Sequence, residues 1–255
     1  MLKLVKSQQP NTVVAEQYFL PVTVTLHIRL QAFTMFPPQG LPLPGEILLI
    51  TDELSSPADF ILLGNLSAHL KNHKDSKCIV LSVSEDLTRW KAISGKSVEK
   101  NLNLAQYMSS QSLIFIDVIT NVASQGARRI WGPVLVILDD VATLEWTGVS
   151  ILELSRFVRA LCALSRKANA ALILRHHIVT PGEPDDILRH LLQLCTYHMD
   201  VLPLSTGRSG SVALHAGPAV VDPHHHLIPK SMAIQYRLTD TGAVFFDRGT
   251  GGGVL

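Results

Sequence analysis

Five short, continuous apolar runs restrict what this chain can fold into. Stretches with helical spacing lie between them, including long ones at residues 144–167 and 185–194. A run that is apolar at every position is typical of a strand buried on both faces. Strands of this kind separated by helices predict an α/β fold, with a parallel sheet covered by helices on both sides. The runs are residues 47–50, 78–81, 113–116, 134–138 and 171–174.

The two ends of the chain have a different pattern. The C-terminal third contains four strand-like runs, with a turn signal at Asp240-Thr241-Gly242, and these predict an antiparallel extension of the sheet. At the N-terminus, apolar and polar residues alternate from Val22 to Leu30, which is typical of a strand with one buried face. The proline-rich segment 37–44 predicts a stiff linker. We therefore expect an arm and linker over residues 1–44 and one body over residues 45–255.

The loop after the first run, residues 51–59, is where a domain of this kind could bind the phosphates of a nucleotide. Such a loop reads GxxxxGK[ST], because its glycines let backbone N–H groups surround the phosphates and its lysine neutralises them. Here the loop has no glycine and no lysine, carries three carboxylates, and loses one N–H at Pro57. Ser55, Ser56 and Asp59 are therefore interpreted as positions of a degenerate nucleotide pocket.

Three acids mark the other positions of this pocket. Asp139 and Asp140 end the fourth run in a Walker B pattern, whose acid helps to hold Mg²⁺ in working enzymes. Acids at this place are also common helix caps, and the missing phosphate loop disfavours a metal role. Glu85 follows the second run, where an acid could activate water, although a solvated acid at a helix start is the favoured interpretation. Gly95-Lys96-Ser97 ends like a phosphate loop, but Trp90 stands where the first glycine belongs, which indicates a helix end.

The overall charge and the cysteines limit the class of protein. The formal net charge is +1, from 22 basic and 21 acidic residues, so there is no broad field that attracts polyanions. Cys78, Cys162 and Cys195 lie far apart, which favours reduced thiols in a cytoplasmic and possibly nuclear protein. No apolar run approaches the roughly 18 residues that a spanning helix needs. We expect a soluble protein without a bound cofactor.

Three parts of the chain together resemble subunit 6 of the Elongator complex. Residues 45–52 open the body without a phosphate loop, and residues 134–144 resemble the strand end of that family with its paired aspartates. The third part comprises residues 236–238 and 244–246 and the closing Val254-Leu255. The order and spacing of these stretches are similar over residues 45–255, whereas the arm has no counterpart.

This resemblance implies a RecA-like fold of the P-loop NTPase type, with a mostly parallel central sheet flanked by helices, an antiparallel C-terminal extension and a degenerate P-loop. It also implies a hetero-hexameric ring of Elongator subunits 4, 5 and 6, which binds tRNA and joins the catalytic subcomplex that modifies wobble uridines. The chain is then a non-catalytic subunit, and any ATPase activity belongs to the assembled ring. Two alternatives stay open: a divergent RecA-like ATPase that uses Glu85 and Asp139 with residues of a partner, and a RecA-like adaptor in DNA recombination.

Basic residues near the expected ring opening are candidates for contact with RNA. In rings of this fold, the loops after the fourth and fifth strands face the opening, which selects Arg175, His176 and His177, with Arg208 as a further candidate. Ordinary surface charge is the simpler interpretation, because no aromatic stacking partner is nearby. The histidines at positions 224–226 lie in a proline-flanked loop and cannot all face one ion, so no metal site is predicted.

Overall fold

A computed structural model describes residues 36 and 38 and the ranges 40–72, 75–96, 102–120, 132–204, 208–220, 222–239 and 242–248. From Gly40 onward the chain forms one compact unit. The alternating segment from Val22 to Leu30, the turn at Asp240-Thr241 and the closing Val254-Leu255 lie outside the described residues. The division at residue 44 therefore stays a prediction.

The described ranges contain nine strands and six α-helices. The strands are β1 (Ile47–Glu53), β2 (Lys77–Ser82), β3 (Leu113–Asp117), β4 (Val134–Leu138), β5 (Ala171–Ile178), β6 (Tyr197–Pro203), β7 (Ser209–Ala216), β8 (Ile234–Thr239) and β9 (Gly242–Phe246). The helices are α1 (Asp59–Asn72), α2 (Leu87–Lys96), α3 (Leu104–Ser109), α4 (Ala142–Trp146), α5 (Ile151–Lys167) and α6 (Asp186–Leu194), with a 3₁₀ turn at Lys230–Met232. None of these helices is long and apolar enough to cross a membrane.

All nine strands form one sheet in the order β3-β2-β4-β5-β1-β6-β7-β8-β9. The first six strands in this order are parallel, and β6 to β9 pair antiparallel. The central strand β1 lies between β5 and β6 and is parallel to both. The apolar runs became parallel strands because both of their faces are covered, as a continuous run requires.

The two faces of the sheet carry different helices. Ile47 and Leu49 of β1 belong to a core cluster that also contains Leu154 of α5 and Leu191 of α6. On the other face, α1 packs against β2 and β4. Because successive strand residues point to opposite faces, each face of β1 has its own core.

The predicted helix over residues 144–167 is divided into two helices, α4 and α5. Gly148 between them has φ +97°, a conformation that residues with a side chain rarely adopt. Ser150 then caps α5, since its side chain accepts a hydrogen bond from the N–H of Glu153 and the Glu153 side chain returns to Ser150. The glycine that ends α4 and the serine that begins α5 are both visible in the sequence. The prediction of one long helix used only the spacing of the apolar residues.

The antiparallel extension packs back onto the start of α1. The Phe60 and Tyr236 rings lie 4.6 Å apart, centre to centre, and Phe245 of β9 lies 6.1 Å from Phe60. Tyr236 is fully buried and passes directly over Gly210 of β7, where any Cβ would overlap its ring. The hairpin of β8 and β9 therefore helps to fix the loop between β1 and α1.

Candidate functional site

The carboxyl ends of β1, β4 and β5 meet at one edge of the sheet, because these strands are parallel and β5 lies between the other two. In open α/β sheets this is the edge where ligands bind. Here it is polar: Asp52 is the next-to-last residue of β1, Asp139 and Asp140 follow β4, and Arg175 and His177 lie in the last half of β5. These side chains form the candidate site.

The loop between β1 and α1 is folded onto itself. Ser56 donates its N–H to the carbonyl of Glu53 at 2.8 Å, and the N–H of Ala58 donates to Oδ2 of Asp52 at 2.6 Å. The hydroxyl of Ser56 bonds to that of buried Tyr236, whereas Ser55 is exposed. A phosphate loop points its N–H groups at the ligand, but here those of Ser56 and Ala58 are already bonded within the protein.

Arg175 occupies the space in front of this loop. Its Nε lies 3.2 Å from Oδ2 of Asp52, and its Nη1 lies 2.5 Å from Oδ1 of Asp59. His177 completes the group, with Nδ1 2.6 Å from Asp52 Oδ1 and Nε2 2.5 Å from Arg175 Nη2. The contact of Arg175 with Asp52 is an ion pair and not a well-directed hydrogen bond, and the contact of His177 with Asp52 is likewise poorly directed. We call Asp52, Asp59, Arg175 and His177 the arginine cluster.

The cluster is held by charge inside the protein. Asp52 is fully buried and Arg175 is 4% exposed. Burial alone would lower the pKa of Arg175, but the carboxylates of Asp52 and Asp59 outweigh it and hold that pKa above its usual value. A buried guanidinium without these acids would be strongly unfavourable, so each partner depends on the other.

The expectation that Arg175, His176 and His177 face RNA from a loop is corrected by their position. All three belong to β5, which continues four residues beyond the apolar run, and all three are buried. His176 points to the opposite face from the arginine cluster, where its Nε2 lies 2.9 Å from Oδ2 of Asp185. Buried side chains that already contact acids of the same chain are not available to an RNA backbone, so only Arg208, which is exposed just before β7, stays a candidate.

The two acids after β4 are both engaged within the protein. Oδ1 of Asp139 accepts the N–H of Val83 at 2.7 Å, and its Oδ2 contacts the hydroxyl of Ser82. Burial raises the pKa of Asp139, and these hydrogen bonds oppose the rise. Asp140 caps α4, because its carboxylate accepts the N–H groups of Ala142 at 2.9 Å and Thr143 at 3.2 Å.

Glu85 is the most accessible of the predicted acids. It lies two residues before α2, its side chain is 40% exposed, and it pairs loosely with Arg89 at 3.8 Å. Desolvation raises the pKa of Glu85, and the nearby charge of Arg89 opposes the rise. Its surroundings are those of a surface acid beside a helix start, at the rim of the candidate site.

A cavity of about 10 Å³ remains between these groups, lined by Trp90 and Ile93 of α2, residues of α1, and Glu85, Asp139 and Arg175. This volume is close to that of a single water position. A nucleotide with Mg²⁺, which a RecA-like fold implies, does not fit the residues present. Arg175 fills the space in front of the loop, and carboxylates surround it.

Sequence reasoning missed Asp52 and Tyr236 as parts of the site. Asp52 was counted only among the acids that repel phosphate. Its need for a cation, together with the polar end of the neighbouring strand, was a usable signal for pairing with Arg175. Tyr236 has no comparable signal, since it reaches Ser56 across 180 residues of sequence.

A second polar group lies on the opposite face of the same edge. The hydroxyl of Thr51 contacts His198 Nε2 at 2.7 Å and Asp200 Oδ1 at 3.1 Å, and Lys230 reaches the other oxygen of Asp200 at 2.7 Å. Burial, opposed by Asp200, lowers the pKa of His198 to about 4. No cluster of His, Cys, Asp and Glu in the described residues is arranged to hold a metal ion.

Among solved structures, a KaiC-like protein from the hyperthermophilic archaeon Pyrococcus horikoshii superposes on this chain with a TM-score of 0.59. The match covers 84% of this chain and 98% of that protein, at 9% sequence identity. No family model and no curated protein matches the sequence. At this identity the likeness shows the fold alone. The predicted RecA-like domain, with a mostly parallel sheet and antiparallel C-terminal strands, is confirmed.

Proposed function

We propose that the chain is a non-catalytic subunit of the Elongator complex, in a hetero-hexameric RecA-like ring with subunits 4 and 5. The ring binds tRNA and supports the modification of wobble uridines, in the cytoplasm and possibly also in the nucleus. The RecA-like fold and the sequence resemblance over residues 45–255 support this proposal. The RecA-like fold also agrees with the two alternative functions, and the contacts at the candidate site favour one of the three.

The arginine cluster is the observation that favours a non-catalytic subunit. A RecA-like ATPase needs backbone donors and a lysine at the loop after β1 to hold phosphates. In this chain a guanidinium from the neighbouring strand is paired there with two acids of the same chain. Phosphate binding would require both ion pairs to open and a net negative group to accept more negative charge.

The alternative of a divergent ATPase needs Asp139 to hold a metal and Glu85 to activate water. Both oxygens of Asp139 already have partners within the chain, and Asp139 lies at a cavity of one water's volume. Only Glu85 is accessible, so the chain offers one of the groups that this function requires. The adaptor in DNA recombination has no specific observation in its favour.

The contact with tRNA is proposed for Arg208 alone among the four earlier candidates. In the assembled ring, Arg208→Glu should weaken tRNA binding. It should also reduce the slope of the logarithm of the binding constant against the logarithm of the salt concentration, by about 0.7 for one single-stranded phosphate contact. Arg89→Glu is the matched control, because Arg89 is exposed but lies on α2 at the other end of the sheet. Equal affinity and slope for both variants would move the tRNA contact to the partner subunits.

Co-expression with Elongator subunits 4 and 5 tests the assembly itself. We expect co-purification in a complex of several chains, measured by light scattering, and no heat of binding when the lone chain is titrated with ATP and Mg²⁺. A stable monomer without affinity for the two subunits would exclude the proposed ring. A micromolar dissociation constant for ATP on the lone chain would favour the divergent ATPase.

A further inference from the structure

The helix α5 has a completely different inner and outer face. Leu154, Val158 and Cys162 recur at helical spacing, are buried, and belong to the core cluster of the sheet. The opposite side is exposed along the whole helix. Since the inner face already fixes α5 to the sheet, the residues on the outer face are not needed to hold the helix in place.

Large apolar side chains form one stripe on the outer face. Phe157 and Leu164 are seven residues apart and therefore lie on the same side, with Ala160 between them. Leu164 is 63% exposed and Phe157 is 41% exposed. Partly buried Leu161 joins the stripe to the core. Single exposed apolar residues are ordinary, but a row of them on one helix face is typical of an interaction surface.

Positive charge runs beside this stripe. The helix contains one acid, Glu153, which is engaged in the capping box, and four basic residues. Arg166 bonds to the carbonyl of Leu194 at 2.8 Å, whereas Arg156 and Arg159 are exposed and have no ion-pair partner among the described residues. The outer face therefore combines an apolar stripe with charge that the described part of the chain leaves uncompensated.

We propose that this outer face of α5 docks an acidic amphipathic helix of a partner protein. A helix lying along α5 would place apolar residues at i, i+3, i+4 and i+7 against Phe157, Ala160 and Leu164. Glutamates or aspartates beside that row would meet Arg156 and Arg159. The surface would be one contact of the assembly proposed above, and rests on that proposal only for the existence of a protein partner.

The charge pattern selects this occupant over the others. A second copy of the chain would bring Arg156 and Arg159 towards an equally basic face, and like charges repel. RNA would use the arginines but leave Leu164 and Phe157 in water. An anionic lipid surface could contact both the arginines and the apolar stripe. The experiment below distinguishes it from a protein helix by comparing vesicles with peptides.

The test uses the purified full chain and two synthetic helical peptides. One carries leucines at i, i+3, i+4 and i+7 with glutamates on both flanks, and the other has lysines in place of the glutamates. By fluorescence anisotropy, we expect the acidic peptide to bind at least tenfold more tightly at low salt, with the preference shrinking as salt screens the charges.

Two variants and a matched control locate the contact. Leu164→Glu should weaken binding of the acidic peptide at least tenfold, and the double variant Arg156→Glu/Arg159→Glu should reverse the preference in favour of the lysine peptide. Leu54→Glu is the control, because Leu54 is 64% exposed, like Leu164, but lies in the loop after β1. It should leave the affinity unchanged.

Several results would overturn the proposal. One is equal binding of the two peptides, or an effect of Leu54→Glu as large as that of Leu164→Glu. Another is a dimer in sedimentation that Leu164→Glu dissociates, or binding to phosphatidylserine vesicles that is lost in Leu164→Glu while no peptide binds. Because the assay contains no Elongator subunit, its failure leaves the ring proposal standing, and failure of co-purification leaves the peptide result standing.

Discussion

Both the arginine cluster and the outer face of α5 contain arginine, but the surroundings of the guanidinium groups differ. In the cluster, Arg175 is buried beside Asp52 and also pairs with the partly exposed Asp59 of the same chain. On α5, Arg156 and Arg159 stay in water beside exposed apolar residues. An arginine paired within the chain contributes to the fold, whereas exposed arginines without such a partner are the basis of the docking surface that we propose. The difference separates what stabilises this chain from what it offers to other molecules.

Removing Arg175 should have the largest effect on stability. Arg175→Ala leaves Asp52 buried without its cation, and loss of one partner of a buried pair costs about 3–5 kcal/mol. Arg159→Ala, on the exposed side of the comparison, should change the free energy of unfolding by no more than about 0.5 kcal/mol. Urea denaturation of both variants measures this. Equal small losses would show that the cluster does not depend on pairing. Asp52→Asn/Arg175→Met should recover part of the loss, because the one acid left without its partner, Asp59, is partly exposed to water.

Acid should weaken the fold through His198, on the opposite face of the same edge. The pKa of this histidine is about 4 in the folded protein, against an ordinary value of 6.5. Below pH 6.5 the unfolded chain takes up a proton that the folded chain does not, so the stabilisation present above pH 6.5 is lost as the pH falls towards 4. The loss amounts to up to about 3 kcal/mol. His198→Gln should remove this part of the pH dependence between pH 7.5 and 4.5, and unchanged pH dependence would contradict the assignment.

A substitution at Gly210 tests how tightly β7 packs against the Tyr236 ring. Gly210→Ala puts a methyl group against the Tyr236 ring, and overpacking of this kind costs about 1–3 kcal/mol. Gly64→Ala is the control, since no atom lies within 4 Å of the added Cβ and the site is inside α1. There alanine should stabilise the helix by about 0.5–1 kcal/mol. The melting temperatures of the two variants should move in opposite directions. An unchanged or higher melting temperature of Gly210→Ala would mean that the Tyr236 ring moves aside at little cost.

The smallest effect on stability is expected for substitutions of exposed apolar residues, such as those on the outer face of α5. Leu164→Glu and Leu54→Glu change side chains that are more than half exposed, so each should alter the free energy of unfolding by no more than about 0.5 kcal/mol. Only the first should lose peptide binding. A large destabilisation by Leu164→Glu in urea would place this side chain in the fold and not at a docking surface.

The parallel part of the sheet was largely predictable from sequence, because strands that are buried on both faces consist of continuous apolar runs. Each of the five runs lies within one of β1 to β5. The end of β5 was not predictable in this way. The polarity of Arg175, His176 and His177 is typical of a loop. They continue the strand because their buried polar groups contact Asp52, Asp59 and Asp185. Two of these acids precede Arg175 by more than 100 residues, and local patterns carry no information on such pairs.

The candidate site was predicted in part. The glycine-free acidic loop lies between β1 and the start of α1, and Asp140 accepts hydrogen bonds at the start of α4, as a helix-capping acid does. What could not be predicted is that a residue from the neighbouring strand fills the pocket. That depends on the register of β5 against β1, which pairs Asp52 with His177, and register is a property of the folded sheet.

The arginine cluster also changes how the stability of this chain depends on its surroundings. A protein that binds a nucleotide only when folded gains a stabilisation that rises with the ligand concentration, as RT ln(1 + [L]/Kd). In this chain Arg175 takes its counter-charges from Asp52 and Asp59, which belong to the same chain. The stabilisation from these ion pairs therefore does not depend on the concentration of any ligand. Its melting temperature should accordingly be the same with and without millimolar ATP. An unchanged melting temperature would mean that the fold of this domain does not depend on the ATP concentration around it.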